Sequence, residues 1–223
     1  MAPKILVIGL LSFTLACDGQ AAKQTLADTT AAPRDVTPVV LFLGTSLTAG
    51  LGLDETEAYP AQIQRRVDSA GLHFRVANAG VSGETSAGGL RRLDWLLNQP
   101  VAVLVLELGA NDALRGQDLS ATRQNLQDIV TRTRARHPDA TIVVAGMQAP
   151  PNLGRDYTTR FKDLFPDLAR QNRTALIPFL LDSVAAIPAL NQRDGIHPNS
   201  DGEAIVTRNV WRVLEPILKA RKP

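Results

Sequence analysis

Residues 100–112 read PVAVLVLELGAND, and the fold turns on them. Val101 to Leu106 form a continuous apolar run directly after Pro100. A half-exposed strand alternates apolar and polar residues, whereas a strand covered on both faces is apolar throughout, as in parallel sheets. Gly109 then opens a turn carrying Asn111 and Asp112. The stretch predicts a central strand whose carboxyl end leads into small polar residues.

The same pattern extends in both directions. Val39 to Leu43 is a short apolar run ending at Gly44. Tyr59 to Ala70 has helical spacing and stops at Gly71, and Phe74 to Ala77 is a second strand. Leu90 to Leu97 places four leucines on one helical face. A helix capped by Asp118 or Ser120 runs to about Arg136, and Thr141 to Ala145 follows as a strand. Tyr157 to Arg170 is helical, with Pro166 expected to end or kink it. Ala175 to Ile177 is a short strand, and Gly202 to Leu218 is the closing helix, disturbed at Pro216. Strands alternating with helices give βαβ units and a mostly parallel five-stranded sheet covered on both faces. Ligands of such sheets bind outside the carboxyl ends of the strands.

The amino-terminal residues read differently. Lys4 precedes an apolar run from Ile5 to Phe13, and Ala16 stands just before Cys17, the only cysteine. This resembles a bacterial lipoprotein signal over residues 1–16, with Cys17 as the lipidated first mature residue. A plain secretory signal or a first core strand are the competing readings. Residues 17–37 are rich in Ala, Thr, Asp, Gln and Pro without apolar period, as in a flexible tether. The folded domain is expected over 38–221, in an exported protein of the periplasm or cell envelope.

Composition narrows the function classes. Lys and Arg number 24 against 22 Asp and Glu, a balance that gives no general drive toward nucleic acid. Membrane contact is expected only through an anchor at Cys17, because no apolar run reaches the ~20 residues of an ordinary span. One Cys and three His leave little material for a zinc site.

Chemistry gathers at the predicted strand ends. They read Gly44-Thr45-Ser46-Leu47-Thr48, Gly80-Val81-Ser82-Gly83 and Gly109-Ala110-Asn111-Asp112. A fourth element, Asp194-Gly195-Ile196-His197-Pro198, precedes the last helix. Acyl transfer needs a nucleophile, a base, a group that orients the base and donors for the oxyanion. Ser46 can be the nucleophile, His197 the base and Asp194 its orienting partner. The backbone N–H groups of Ser46 and Gly83 and the Asn111 amide are natural oxyanion donors. His73 and His137 are read as structural, and Ser82, in its own Gly-x-Ser-Gly turn, is a competing nucleophile.

These blocks resemble those of the GDSL, or SGNH, hydrolase family. Ser46, Gly83, Asn111 and His197 match its four name-giving residues in order, and Asp194 matches the third triad member. Further matches are Glu107-Leu108-Gly109, Leu114-Arg115-Gly116, Met147-Gln148 and Ile177-Pro178-Phe179. They are most similar to the bacterial branch of arylesterases, acyl-CoA thioesterase I and lysophospholipase L1. The resemblance implies a three-layer α/β/α sandwich with a flavodoxin-like sheet. It also implies ester or thioester hydrolysis through an acyl-enzyme on Ser46, with no cofactor and no metal. The family name has Asp before the serine, and here that residue is Thr45, whose hydroxyl can bond a nearby backbone group.

Several roles follow as expectations. Leu47, Leu51, Leu114, Met147, Pro150 and Ile196 would line a groove for a small acyl or aryl ester. Glu107, Asp112 and Arg115 would hold the Gly109–Asn111 loop. The alternatives are a carbohydrate O-deacetylase of the same family and a noncatalytic ligand-binding lipoprotein. The larger α/β-hydrolase fold needs Gly-x-Ser-x-Gly, and Thr48 stands at its fifth position.

Overall fold

A computed structural model describes residues 37–221. Residues 1–16, read above as an export signal, Cys17 and all but the last residue of the expected tether lie outside the described residues.

Five strands form one parallel sheet: β1 (Val39–Gly44), β2 (Arg75–Gly80), β3 (Val101–Glu107), β4 (Thr141–Ala145) and β5 (Ala175–Ile177). Their spatial order is β2-β1-β3-β4-β5. The helices are α1 (Ser46–Ala49), α2 (Tyr59–Ser69), α3 (Ser86–Leu96), α4 (Ala110–Leu114), α5 (Leu119–Arg136), α6 (Arg155–Asn172) and α7 (Ser200–Ala220).

Topology assigns the layers. From β1 the chain steps outward to β2, then passes back over β1 to β3 and continues through β4 to β5. Parallel crossovers are right-handed, so α2 falls on one face and α3, α5 and α6, stepping the other way, on the opposite face. Packing agrees: α2 pairs with α7, α3 with α5 and α5 with α6. This is the expected three-layer sandwich. Because β1 and β3 are covered on both sides, every residue in them is buried. Edge strand β2 is half-exposed. The direction in which strands are added reverses at β1, which opens a crevice between the carboxyl ends of β1 and β3.

Several boundaries differ from expectation. Strand β2 continues past Ala77 because its register against β1 carries on to Gly44 opposite Gly80. Helix α3 starts four residues early, where the Thr85 hydroxyl accepts from the Gly88 N–H at 3.3 Å. Pro166 and Pro216 sit inside their helices and end neither. Each removes one hydrogen bond, to the carbonyl four residues earlier. Those carbonyls belong to the exposed residues Lys162 and Arg212, where water can take the bond. The buried faces hold both helices in place, with Phe161 stacked edge-on to Phe165 at 5.1 Å in α6.

Candidate active site

The crevice collects the predicted residues from separate parts of the chain. Thr45 leaves β1 and caps α1, its hydroxyl accepting from the Leu47 N–H at 3.4 Å. Ser46 is the first residue of α1, a position where helix geometry leaves the N–H without an intrahelical partner. Its Oγ lies 2.8 Å from His197 Nε2.

Histidine 197 is held by its own loop. Asp194 Oδ2 lies 2.6 Å from His197 Nδ1. Asp194 Oδ1 accepts from the N–H groups of Ile196 at 2.9 Å and His197 at 3.0 Å. A carboxylate can only accept, so Nδ1 carries the ring proton. In the neutral ring Nε2 is then the acceptor, and the Ser46 hydroxyl donates to it. The ring bond first, and the two backbone bonds next, hold the Asp194 carboxyl down at about 2. Asp194 is therefore ionised at neutral pH and oriented before any substrate arrives. Gln192 fixes the loop from behind: its Nε2 donates to the carbonyls of Leu51 at 2.7 Å and Pro198 at 2.9 Å.

The donors come from the two neighbouring strand ends. Gly83 lies in the turn after β2 with φ of 77°, a left-handed conformation that glycine adopts without strain. Arg115 Nη2 donates to the Gly83 carbonyl at 2.8 Å. Asn111 Nδ2 donates to the Glu84 carbonyl at 2.9 Å. An amide has two hydrogens, so this bond sets the plane of Asn111 and leaves the other. Glu84 is in turn paired with Arg92.

Ser46, Gly83, Asn111 and His197 line one cleft of about 350 Å³. Leu47, Leu114, Met147, Pro150 and Ile196 line it as well, together with Leu51. Leu114 and Ile196 are about half-exposed at its rim, and Met147 is buried. Thr45 and Ser82 from the motif turns line it too, and Ala110, Gln148 and Leu181 join the wall unpredicted. Leu181 arrives because the Leu180 N–H bonds the Gly146 carbonyl at 3.0 Å, which joins the turn after β5 to the end of β4.

Two supporting roles need correction. Glu107 does not hold the Gly109–Asn111 loop. It faces β1, opposite Gly44, and accepts from Thr45 N–H at 2.8 Å and Thr48 Oγ1 at 2.8 Å. Strand register points it toward the serine turn. Arg115 reaches across to the Gly83 turn instead of holding its own loop. Asp112 does tie the loop down, accepting from Ser86 N–H at 2.8 Å and Ser86 Oγ at 2.6 Å. His137 has a structural place, donating from Nε2 to the Leu97 carbonyl at 2.9 Å.

Residues 42–205 match the model of the GDSL-like lipase/acylhydrolase family. The chain belongs to this family. Esterase TesA of Pseudomonas aeruginosa is 39% identical over 215 residues, covering 96% of this chain and 98% of TesA. Thioesterase 1/protease 1/lysophospholipase L1 of Escherichia coli is 36% identical over 181 residues, 80% of this chain and 84% of the relative. The crystal structure of TesA superposes with a TM-score of 0.77 at 40% identity, covering 80% of this chain and 99% of that one. This GDSL protein is thus an ester-hydrolysing enzyme with the expected α/β fold.

Proposed function

We propose that the enzyme is a serine esterase that cleaves acyl or aryl esters and thioesters through an acyl-enzyme on Ser46. The observation that carries this reading is the Ser46 Oγ–His197 Nε2 bond of 2.8 Å at the edge of an apolar cleft.

A serine hydroxyl is a weak nucleophile until a base takes its proton. Ser46 Oγ attacks the carbonyl carbon while its proton passes to His197 Nε2, and the carbonyl electron pair moves onto oxygen. Asp194 stabilises the imidazolium so formed and keeps its proton on Nδ1. Ser46 N–H, Gly83 N–H and Asn111 Nδ2 donate to the oxyanion, the state in which such donors count most. Collapse expels the alcohol or thiol, which takes the proton from Nε2. Water then gives a proton to the same nitrogen and attacks the acyl carbon. A second collapse frees the carboxylic acid and restores Ser46.

The cleft wall supports the substrate class. Leu47, Leu51, Leu114, Met147 and Ile196 offer apolar surface to an acyl chain or an aromatic ring. A sugar ester would need polar partners there. The test is hydrolysis of p-nitrophenyl acetate, butyrate and decanoate, a long-chain acyl-CoA, a lysophospholipid and an acetylated sugar, each beside Ser46→Ala. Turnover of the acyl esters that disappears in the variant is expected. Turnover of the acetylated sugar alone would establish a deacetylase, and no turnover above the variant would point to a ligand-binding module.

A further inference from the structure

A buried polar cluster behind the nucleophile plays no part in the steps above. Glu107 is fully buried at the end of β3. Besides the Thr45 N–H and Thr48 Oγ1, it has the Thr45 Oγ1 at 3.0 and 3.1 Å from its two oxygens. Thr48 Oγ1 lies 2.6 Å from Tyr59 Oη. The one hydroxyl hydrogen of Thr48 goes to the carboxylate, so Tyr59 donates to Thr48 and Thr48 to Glu107. Thr45 directly precedes Ser46 and Thr48 lies two residues after it, so one carboxylate grips the nucleophile turn on both sides. Gly44 makes room for this: a Cβ there would fall 2.0 Å from Thr48 Oγ1 and 2.6 Å from Glu107 Oε2.

No cation pairs with Glu107 among the described residues. The titratable groups that face it are Tyr59 from α2 and Glu203 from α7. Burial raises Glu107 to about 7, with the donors from Thr45 and Thr48 pulling the other way. Burial, and then the charge of Glu107, push Glu203 up to about 8, so Glu203 is the carboxyl that keeps its proton near neutrality. The neighbours that grip Glu107 all point donors at it. A protonated Glu107 would meet them with a donor of its own and release part of the turn.

We propose that Glu107 is a positioning residue for Ser46 that works only as the carboxylate, with the Thr45 hydroxyl as its neutral donor. An Asp at position 45, as in the family name, would set two carboxyl groups side by side and make them share a proton. Threonine removes that conflict. Two deprotonations then precede catalysis, one at His197 to activate Ser46 and one at Glu107 to hold it. The inference rests on Ser46 being the nucleophile.

The test is kcat/KM for p-nitrophenyl acetate from pH 5 to 8 in the wild type, Glu107→Gln and three Thr45 variants. On the acid side the wild-type log profile should approach a slope of about 2, and Glu107→Gln a slope of about 1. Glu107→Gln should also lose about tenfold in kcat at pH 8 with KM within about twofold, as for an interaction made in the transition state. Thr45→Val and Thr45→Asp should move the second step to higher pH, and Thr45→Ser should leave its position unchanged. The Thr45 series keeps the buried carboxylate and reads the same step even if Glu107→Gln fails to fold. A wild-type slope of one, or a common profile for all Thr45 variants, would overturn the inference. Failure of the nucleophile assignment looks different, because Ser46→Ala would then remain active.

Discussion

Asn111 gives one amide hydrogen to the Glu84 carbonyl and keeps the other for the cleft. If that second hydrogen reaches the oxyanion, Asn111→Ala lowers kcat by about 10²–10³ with little change in KM. Steady-state kinetics on p-nitrophenyl butyrate would show it, and a loss below about tenfold would leave the hole to backbone donors. Residues of this kind are legible in a sequence because each stands in a short block of small and polar neighbours. Asp194 is legible for a further reason: it acts through a contact only three residues away, inside one turn. Gln192 escapes such reading, since its bond to the Leu51 carbonyl spans 141 residues. Glu107 is visible as an acid ending an apolar strand, but its partner is set by the register between β1 and β3, which local sequence does not carry.

Helices α2 and α7 are joined at their first turns by one bond, Glu203 Oε2 accepting from the Tyr59 N–H at 2.7 Å. Burial raises Glu203 to about 8 in the folded state, and an unfolded Glu titrates at about 4.3. Between these values the folded chain holds a proton that the unfolded chain has released. Stability is therefore fully present below the lower value and is lost as pH rises through the higher one. Glu107 adds a change of the same sign up to about 7. Glu203→Gln keeps an acceptor for Tyr59 without the titration. Urea unfolding at pH 5 and pH 8 should show a shallower loss in the variant, and a gain at pH 8 on the order of a few kcal/mol at most. Equal pH dependence in the two proteins would refute the linkage. At this scale apolar periodicity located every strand, and local caps such as Asp118 fixed helix starts, while passage through a proline depended on tertiary packing. The buried Phe161, Phe165 and Leu168 carry α6 through a proline that local propensity alone treats as a stop.

Across the molecule, three strand ends and one loop meet at the carboxyl edge of the sheet because the strands are all parallel and their order of addition reverses at β1. That convergence follows from strand alternation and crossover hand, so the site's location was legible before any distance was known. Much of the cleft wall was legible too: Leu47, Leu114 and Ile196 sit near Ser46, Asn111 and His197, and Met147 and Pro150 follow the end of β4, whereas Leu181 comes from a turn with no periodic signal. All of the proposed chemistry passes through one oxygen, Ser46 Oγ. A fluorophosphonate forms a covalent adduct with a serine activated by its base. The decisive measurement is intact-protein and peptide mass spectrometry after treatment with such a reagent. One adduct per chain on the peptide containing Ser46, absent from His197→Ala, is the predicted result. Labelling of Ser82, or equal labelling with and without His197, would contradict it.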